Sequence, residues 1–98
     1  MYELSCRYDT RQSFYGKAQV EIKQYDNFIA TILYSYGTEV ASIEEYKHFT
    51  KYYYNGQYSC TTTRHQKEFF KQNGLSDNEI KELFKKGQLE KGGKNATI

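Results

Sequence analysis

"YYYNGQYSCTTTRHQKEFFKQNGL", residues 52–75, changes grammar at its midpoint. Tyr52, Tyr53 and Tyr54 are β-prone aromatics that run into Asn55-Gly56, the dipeptide most used in type I′ hairpin turns. After Cys60 the pattern becomes helical. Thr61, Thr62 and Thr63 supply N-cap hydroxyls, and Thr63 with Gln66 three residues on has the spacing of a capping box. Phe69 and Phe70 give this helix a buried stripe, and Asn73-Gly74-Leu75 reads as a left-handed C-terminal cap followed by its hydrophobic contact. The stretch therefore predicts the end of a sheet joined to a helix over about 63–73. On a strand Tyr52 and Tyr54 share one face and Tyr53 takes the other, so the tyrosines cannot all face one ligand.

Upstream, period-2 alternation dominates. In "YELSCRY", residues 2–8, Tyr2, Leu4, Cys6 and Tyr8 fall on one face, which predicts a half-buried strand. "KAQVEIK", residues 17–23, repeats the pattern with Ala18, Val20 and Ile22 inward, and Asp26-Asn27 marks a turn. "FIATILYSY", residues 28–36, is apolar on both faces and so predicts a central strand, or one covered on its second face by a helix or a partner subunit. Gly37 ends it, and "TEVASIEEY" completes a second hairpin. The expected total is four to five antiparallel strands.

Downstream, Ser76 and Glu79 form an S-x-x-E capping box, with Ile80, Leu83 and Phe84 on one apolar face and Gly87 as the stop. The expected architecture is α+β: an antiparallel sheet of four to five strands followed by a C-terminal αα-hairpin, in one domain over residues 1–87. Residues 88–98, with glycines and little to bury, read as a flexible tail.

The 98 residues include 11 Tyr and 6 Phe but only 38% hydrophobic residues, so aromatic bulk must fill a thin core. Net charge is +2, unevenly spread: residues 1–50 carry five Lys/Arg against seven Asp/Glu, and residues 51–98 carry nine against five. A basic C-terminal half is compatible with phosphate contacts without demanding them. Two distant cysteines, no signal-peptide core and no apolar run near 18 residues predict a cytoplasmic protein with reduced thiols and no membrane span.

Cys6, His48, Cys60 and His65 are a conceivable Cys2His2 set, but their intervals lack the short pairs that zinc sites use, so no metal or other cofactor is expected. Cys60 and His65 lack an orienting group or an oxyanion loop, so no catalytic residue is assigned. The helix pair does not suit DNA reading, because Phe70 occupies a position that wants a small residue and Asp77 and Glu79 open the reading face. The candidate partner-binding residues are Tyr52, Tyr53, Tyr54, Tyr58, Arg64, Lys67 and Lys71, aromatics flanked by cations.

The segments "SFYGKA" (13–18), "LYSYGTEVASI" (33–43) and "YYNGQYSCTTTRHQKEFFKQNG" (53–74) resemble, in that order, a group of small proteins encoded by bacteriophages and other mobile elements of bacteria. The likeness spans roughly residues 1–75, with Cys60 standing where Ala is more typical. The resemblance implies no catalytic residues. It implies a genomic setting in which short accessory proteins act as non-enzymatic inhibitors of defence nuclease complexes, anti-CRISPR proteins among them, inside the host cell. The expected partner is a bacterial protein or ribonucleoprotein complex. The alternative is a small DNA- or RNA-binding regulator using the basic half, and the two-sided apolar strand adds the expectation of a homodimer.

Overall fold

The computed structural model describes residues 1–8, 14, 16–56 and 60–92. They form strands β1 (Tyr2–Glu3), β2 (Ala18–Gln24), β3 (Ile29–Ser35), β4 (Thr38–Glu45) and β5 (Phe49–Tyr54), helices α1 (Cys60–Gln72) and α2 (Asp77–Lys86), and strand β6 (Gln88–Gly92). The strands pair antiparallel in sequence order, β1 to β6, in one sheet. The α+β class and the helical hairpin agree with the sequence reading; the strand number is six rather than four to five.

The additional strand comes from residues expected in the tail. Gly87 takes a left-handed conformation (φ 84°) and its N–H donates to the Leu83 carbonyl, so the chain turns back beside β5. Leu89 lies opposite Tyr52 and packs on the core, while Lys91 Nζ reaches Glu79 Oε2 at 2.8 Å. A single Leu in "QLEKG" is too weak an alternation to announce a strand; its partners are supplied by β5 and α2. Residues 93–98 of the expected tail lie outside the described residues.

The Lys91–Glu79 pair has a pH signature. The hydrogen bond from Lys91 holds the Glu79 carboxyl below its ordinary range, and the same bond raises the Lys91 ammonium. Glu79's share of stability is complete above the ordinary carboxylate range and is lost as pH falls through its depressed value. Lys91's share is complete below the ordinary lysine range and is lost as pH rises through its raised value. Lys91→Met should therefore cost about 0.5 kcal/mol at neutral pH, since both side chains are about one-third exposed and screened. The difference from wild type should shrink below about pH 4 and above about pH 10, as urea titrations across pH will show.

β1 is shorter than the expected strand over 2–8. After Leu4, whose N–H donates to the Ala18 carbonyl, the chain leaves the sheet for α1. There Gln72 Nε2 donates to the Ser5 carbonyl at 2.7 Å and the Tyr8 N–H donates to Glu68 Oε1 at 2.8 Å. Tyr2 and Tyr8 end up exposed, while Leu4 is buried.

The β3–β4 hairpin turns on Tyr36-Gly37, both with positive φ (54° and 81°), the type I′ geometry. The Asn55-Gly56 pair does something other than the hairpin turn expected of it. β5 pairs next with β6, which arrives only after both helices, so Asn55-Gly56 begins the strand-to-helix connection. A register shift at Leu33/Tyr34 leaves Val40 as an extra residue in β4. The Val40 carbonyl then accepts from both the Asn55 N–H (3.1 Å) and Gln66 Nε2 (2.9 Å). This use of Gln66 replaces the expected Thr63–Gln66 capping box: α1 begins at Cys60, and Gln66 is buried as the bolt between helix and bulge.

The α1 C-terminus is a Schellman closure, with Gly74 N–H to the Lys71 carbonyl and Leu75 N–H to that of Phe70. The Ser76–Glu79 capping box is present in both directions. Both helices lie on one face of the sheet. Val20, Leu33, Ala41, Ile43 and Tyr52 rise from that face to meet Phe69, Phe70, Leu75, Ile80 and Leu83.

Candidate binding surfaces

Among the described residues no group of three or more His, Cys, Asp or Glu side chains is arranged to hold a metal ion. His65 packs against Tyr36 at one end of β4, and His48 lies in the turn beyond the other end. Cys60 is exposed and Cys6 partly buried. Ser35 Oγ and His65 Nδ1 are 2.7 Å apart, the spacing of a nucleophile and its base, but Ser35 also bonds Thr62 Oγ1 (2.9 Å) and both it and His65 are buried. The Phe14 and His65 rings meet in an edge-to-face arrangement with centroids 4.5 Å apart. This arrangement joins the end of β3 to α1 and is closed to substrate.

The sequence-derived candidates separate onto two sides of the molecule. Tyr52 is buried beneath the helices, and Tyr54, partly buried, stacks on Phe84 at 4.2 Å. Tyr53 points to the opposite sheet face, beside Ser42 and Gln88 in register. Tyr58 lies outside the described residues. Arg64, Lys67 and Lys71 do come together: at i, i+3 and i+7 they line the outer side of α1. With Tyr8 and Glu68 they border a shallow groove. A second hollow, between α1 and α2, shares Lys67 and Lys71 and adds Asp77, Ile80 and Lys81.

Glu68 fixes the floor of the first groove. It is buried, accepting the Tyr8 N–H at Oε1 and Gln72 Nε2 (2.6 Å) at Oε2, so the N-terminal segment is tied to the helix that carries the cations. Lys71 Nζ lies 3.1 Å from Asp77 Oδ1 across the interhelix hollow. The groove is thus a cationic rim on a rigid support. It has no cavity deep enough to isolate a small molecule from water.

The opposite face of the sheet carries a feature that the sequence reading passed over. Tyr25, Phe28, Tyr46 and Phe49 stack in one continuous row across four strand ends, with successive centroids 4.8, 5.0 and 4.6 Å apart. Interplanar angles of 21°, 27° and 16° make the row nearly parallel. Lys51 Nζ lies 5.9 and 5.6 Å from the centroids of Tyr46 and Phe49. Tyr46 donates its hydroxyl to Glu44 Oε1 (2.7 Å), and that bond pushes its pKa up to about 12.

A signal for this row was available. The two hairpin turns at this end of the sheet are Tyr25-Asp26-Asn27-Phe28 and Tyr46-Lys47-His48-Phe49, the same Tyr-x-x-Phe form. In each, the Tyr N–H donates to the Phe carbonyl at 2.9 Å. The turn closure sets both aromatics on one face, and pairing of β3 with β4 sets the two turns side by side. On the helix side of the same sheet end, Ile22 and Ile29 remain 57% and 38% exposed, so the helices do not reach this far.

The family of unknown function DUF8033 matches residues 2–86, from β1 through α2, and the chain belongs to it. Neither the curated proteins nor the solved structures contain a match. No helix among the described residues is long and apolar enough to cross a membrane.

Proposed function

We propose that this is a non-enzymatic binding protein that docks the outer side of α1 onto an anionic surface of a bacterial protein or ribonucleoprotein complex. The observation that carries this reading is the row Arg64, Lys67 and Lys71, held on a helix whose orientation is fixed by the buried Glu68 and Gln66 bonds. A rigid support lowers the ordering cost of binding, and a single-sign rim steers a partner of opposite sign. The finer reading, inhibition of a defence nuclease complex in the host cytoplasm, is supported by the likeness to phage-encoded proteins and by small size. The partner's phosphates or carboxylates would meet the rim.

A free nucleic acid is the second reading favoured by the same cations. Three cations allow at most about three phosphate contacts, and Lys71 would have to share itself with Asp77, so log affinity should fall against log salt with a slope no steeper than about −3. Such a contact is weak at physiological salt, which favours a complex that adds protein surface to it. The test is the doubly reversed variant Arg64→Glu/Lys67→Glu. It should still unfold cooperatively and lose capture of a purified defence nuclease complex by at least about 100-fold, as expected for several screened charge contacts. Unchanged capture would exclude the α1 surface, and a shift of naked DNA or RNA with full affinity would instead support the regulator.

A further inference from the structure

We propose that the open face of the sheet, the side away from the helices, is a homodimer interface in which β4 of one copy lies over β5 of the other. This inference concerns the side of the molecule that the α1 reading does not use. Helices cover one sheet face only; on the other, Ala30 and Ile32 are already buried, and the outer layer is made of Tyr34, Tyr53 and the stacked row Tyr25–Phe28–Tyr46–Phe49, with Tyr25 exposed and the others half-buried. A contiguous, half-exposed aromatic layer of this kind is the sort of surface on which proteins associate.

The pattern on this face identifies the partner. In register across the sheet run Lys23, Ala30, Glu44, Lys51 and Glu90, so the charges over β4, β5 and β6 alternate in sign. An isologous interface requires that where residue i faces j, j also faces i. A two-fold axis parallel to the strands and passing between β4 and β5 meets that condition. It sets Glu44 over the partner's Lys51 and Lys51 over the partner's Glu44. On the next level it sets Tyr46 over the partner's Phe49, and Ser42 falls over the partner's Tyr53. Because Glu44 and Lys51 are direct cross-strand neighbours, the rotation keeps them level.

The same operation places β3 over the partner's β6, so Ala30 receives Glu90 without a like-charge contact. β1 and β2, with Glu3, Glu21 and Lys23, overhang the interface. Aligned packing of two antiparallel sheets is an established geometry, with facing layers about 10 Å apart. The helical layers then lie outermost and leave both α1 surfaces exposed.

Charge exchange distinguishes this arrangement from any other occupant of the face. Wild-type protein in sedimentation equilibrium should fit a monomer–dimer equilibrium. Lys51→Glu gathers four carboxylates around the axis, and Glu44→Lys gathers four ammonium groups. Each should weaken dimerisation by about 100-fold, two charge pairs being reversed at once. The double variant Lys51→Glu/Glu44→Lys restores two opposite-charge pairs about the same axis and should regain the dimer. All three variants should retain cooperative thermal unfolding, since both residues are only partly buried and stand outside the core beneath the helices. A wild-type monomer at the highest soluble concentration overturns the proposal. So does a dimer insensitive to either single reversal, and so does a double variant that stays monomeric, because a non-isologous contact has no reason to be rescued.

Discussion

Phe70→Ala should lower the unfolding free energy by about 4 kcal/mol, the largest loss expected from any single truncation here. Phe70 is fully buried, meets Phe69 edge-on at 5.4 Å and Phe84 at 6.4 Å, and stands where α1, α2 and the sheet converge. Its backbone is committed as well: the carbonyl accepts both the Asn73 and Leu75 N–H groups that close the helix. Truncation leaves a cavity bordered by two aromatic rings and by a capped helix end that cannot slide inward to fill it. A domain of this length has about 5–10 kcal/mol in total, so the variant should keep only a small margin. Urea denaturation should show a midpoint lowered by roughly half with an unchanged slope, the slope reporting an unaltered native surface. A loss below about 1 kcal/mol would mean that α1 and α2 do not share one core.

That core was legible in the sequence wherever the information was local. Ser76, Glu79 and Gly87 define α2 by themselves, since each acts on backbone groups within four residues. Gly74 and Leu75 likewise announced the closure of α1. The hairpins were legible through alternation and Gly37. What escaped depended on distant partners. β6 is a strand because β5 has an open edge and Glu79 is placed to receive Lys91. The start of α1 was misplaced because Gln66, read as a local cap, finds the Val40 carbonyl 26 residues away.

The candidate surface was legible in the same uneven way. Arg64, Lys67 and Lys71 share a side because helical spacing puts them there. Tyr52 and Tyr54 were absorbed by the core once α2 brought Phe84 over β5. The aromatic row needed two turns, 21 residues apart in sequence, to be placed side by side by the pairing of β3 with β4. Only then does a repeated Tyr-x-x-Phe become one surface.

The buried polar group at His65 should prove nearly as important to stability as Phe70, and for a different reason. His65, Ser35 and Thr62 are all buried, in a chain from the imidazole Nδ1 through the Ser35 hydroxyl to Thr62. His65→Ala removes the ring that Phe14 packs against at 4.5 Å and should cost about 3 kcal/mol. His65→Leu retains most of the volume, and the Ser35 and Thr62 hydroxyls can still bond each other, so its cost should be nearer 1 kcal/mol. Ser35→Ala removes the 2.7 Å hydrogen bond to the buried imidazole Nδ1 and should cost about 2 kcal/mol, more than His65→Leu although fewer atoms are removed. The double variant Ser35→Ala/His65→Leu removes both partners of that bond and should be less unstable than the sum of the singles by about 1 kcal/mol, measured as a coupling energy in urea. Simple additivity would show that the 2.7 Å contact contributes nothing beyond packing. A coupling of the expected size would establish that the end of β3 and the middle of α1 are held in register by a hydrogen bond that neither segment can make alone.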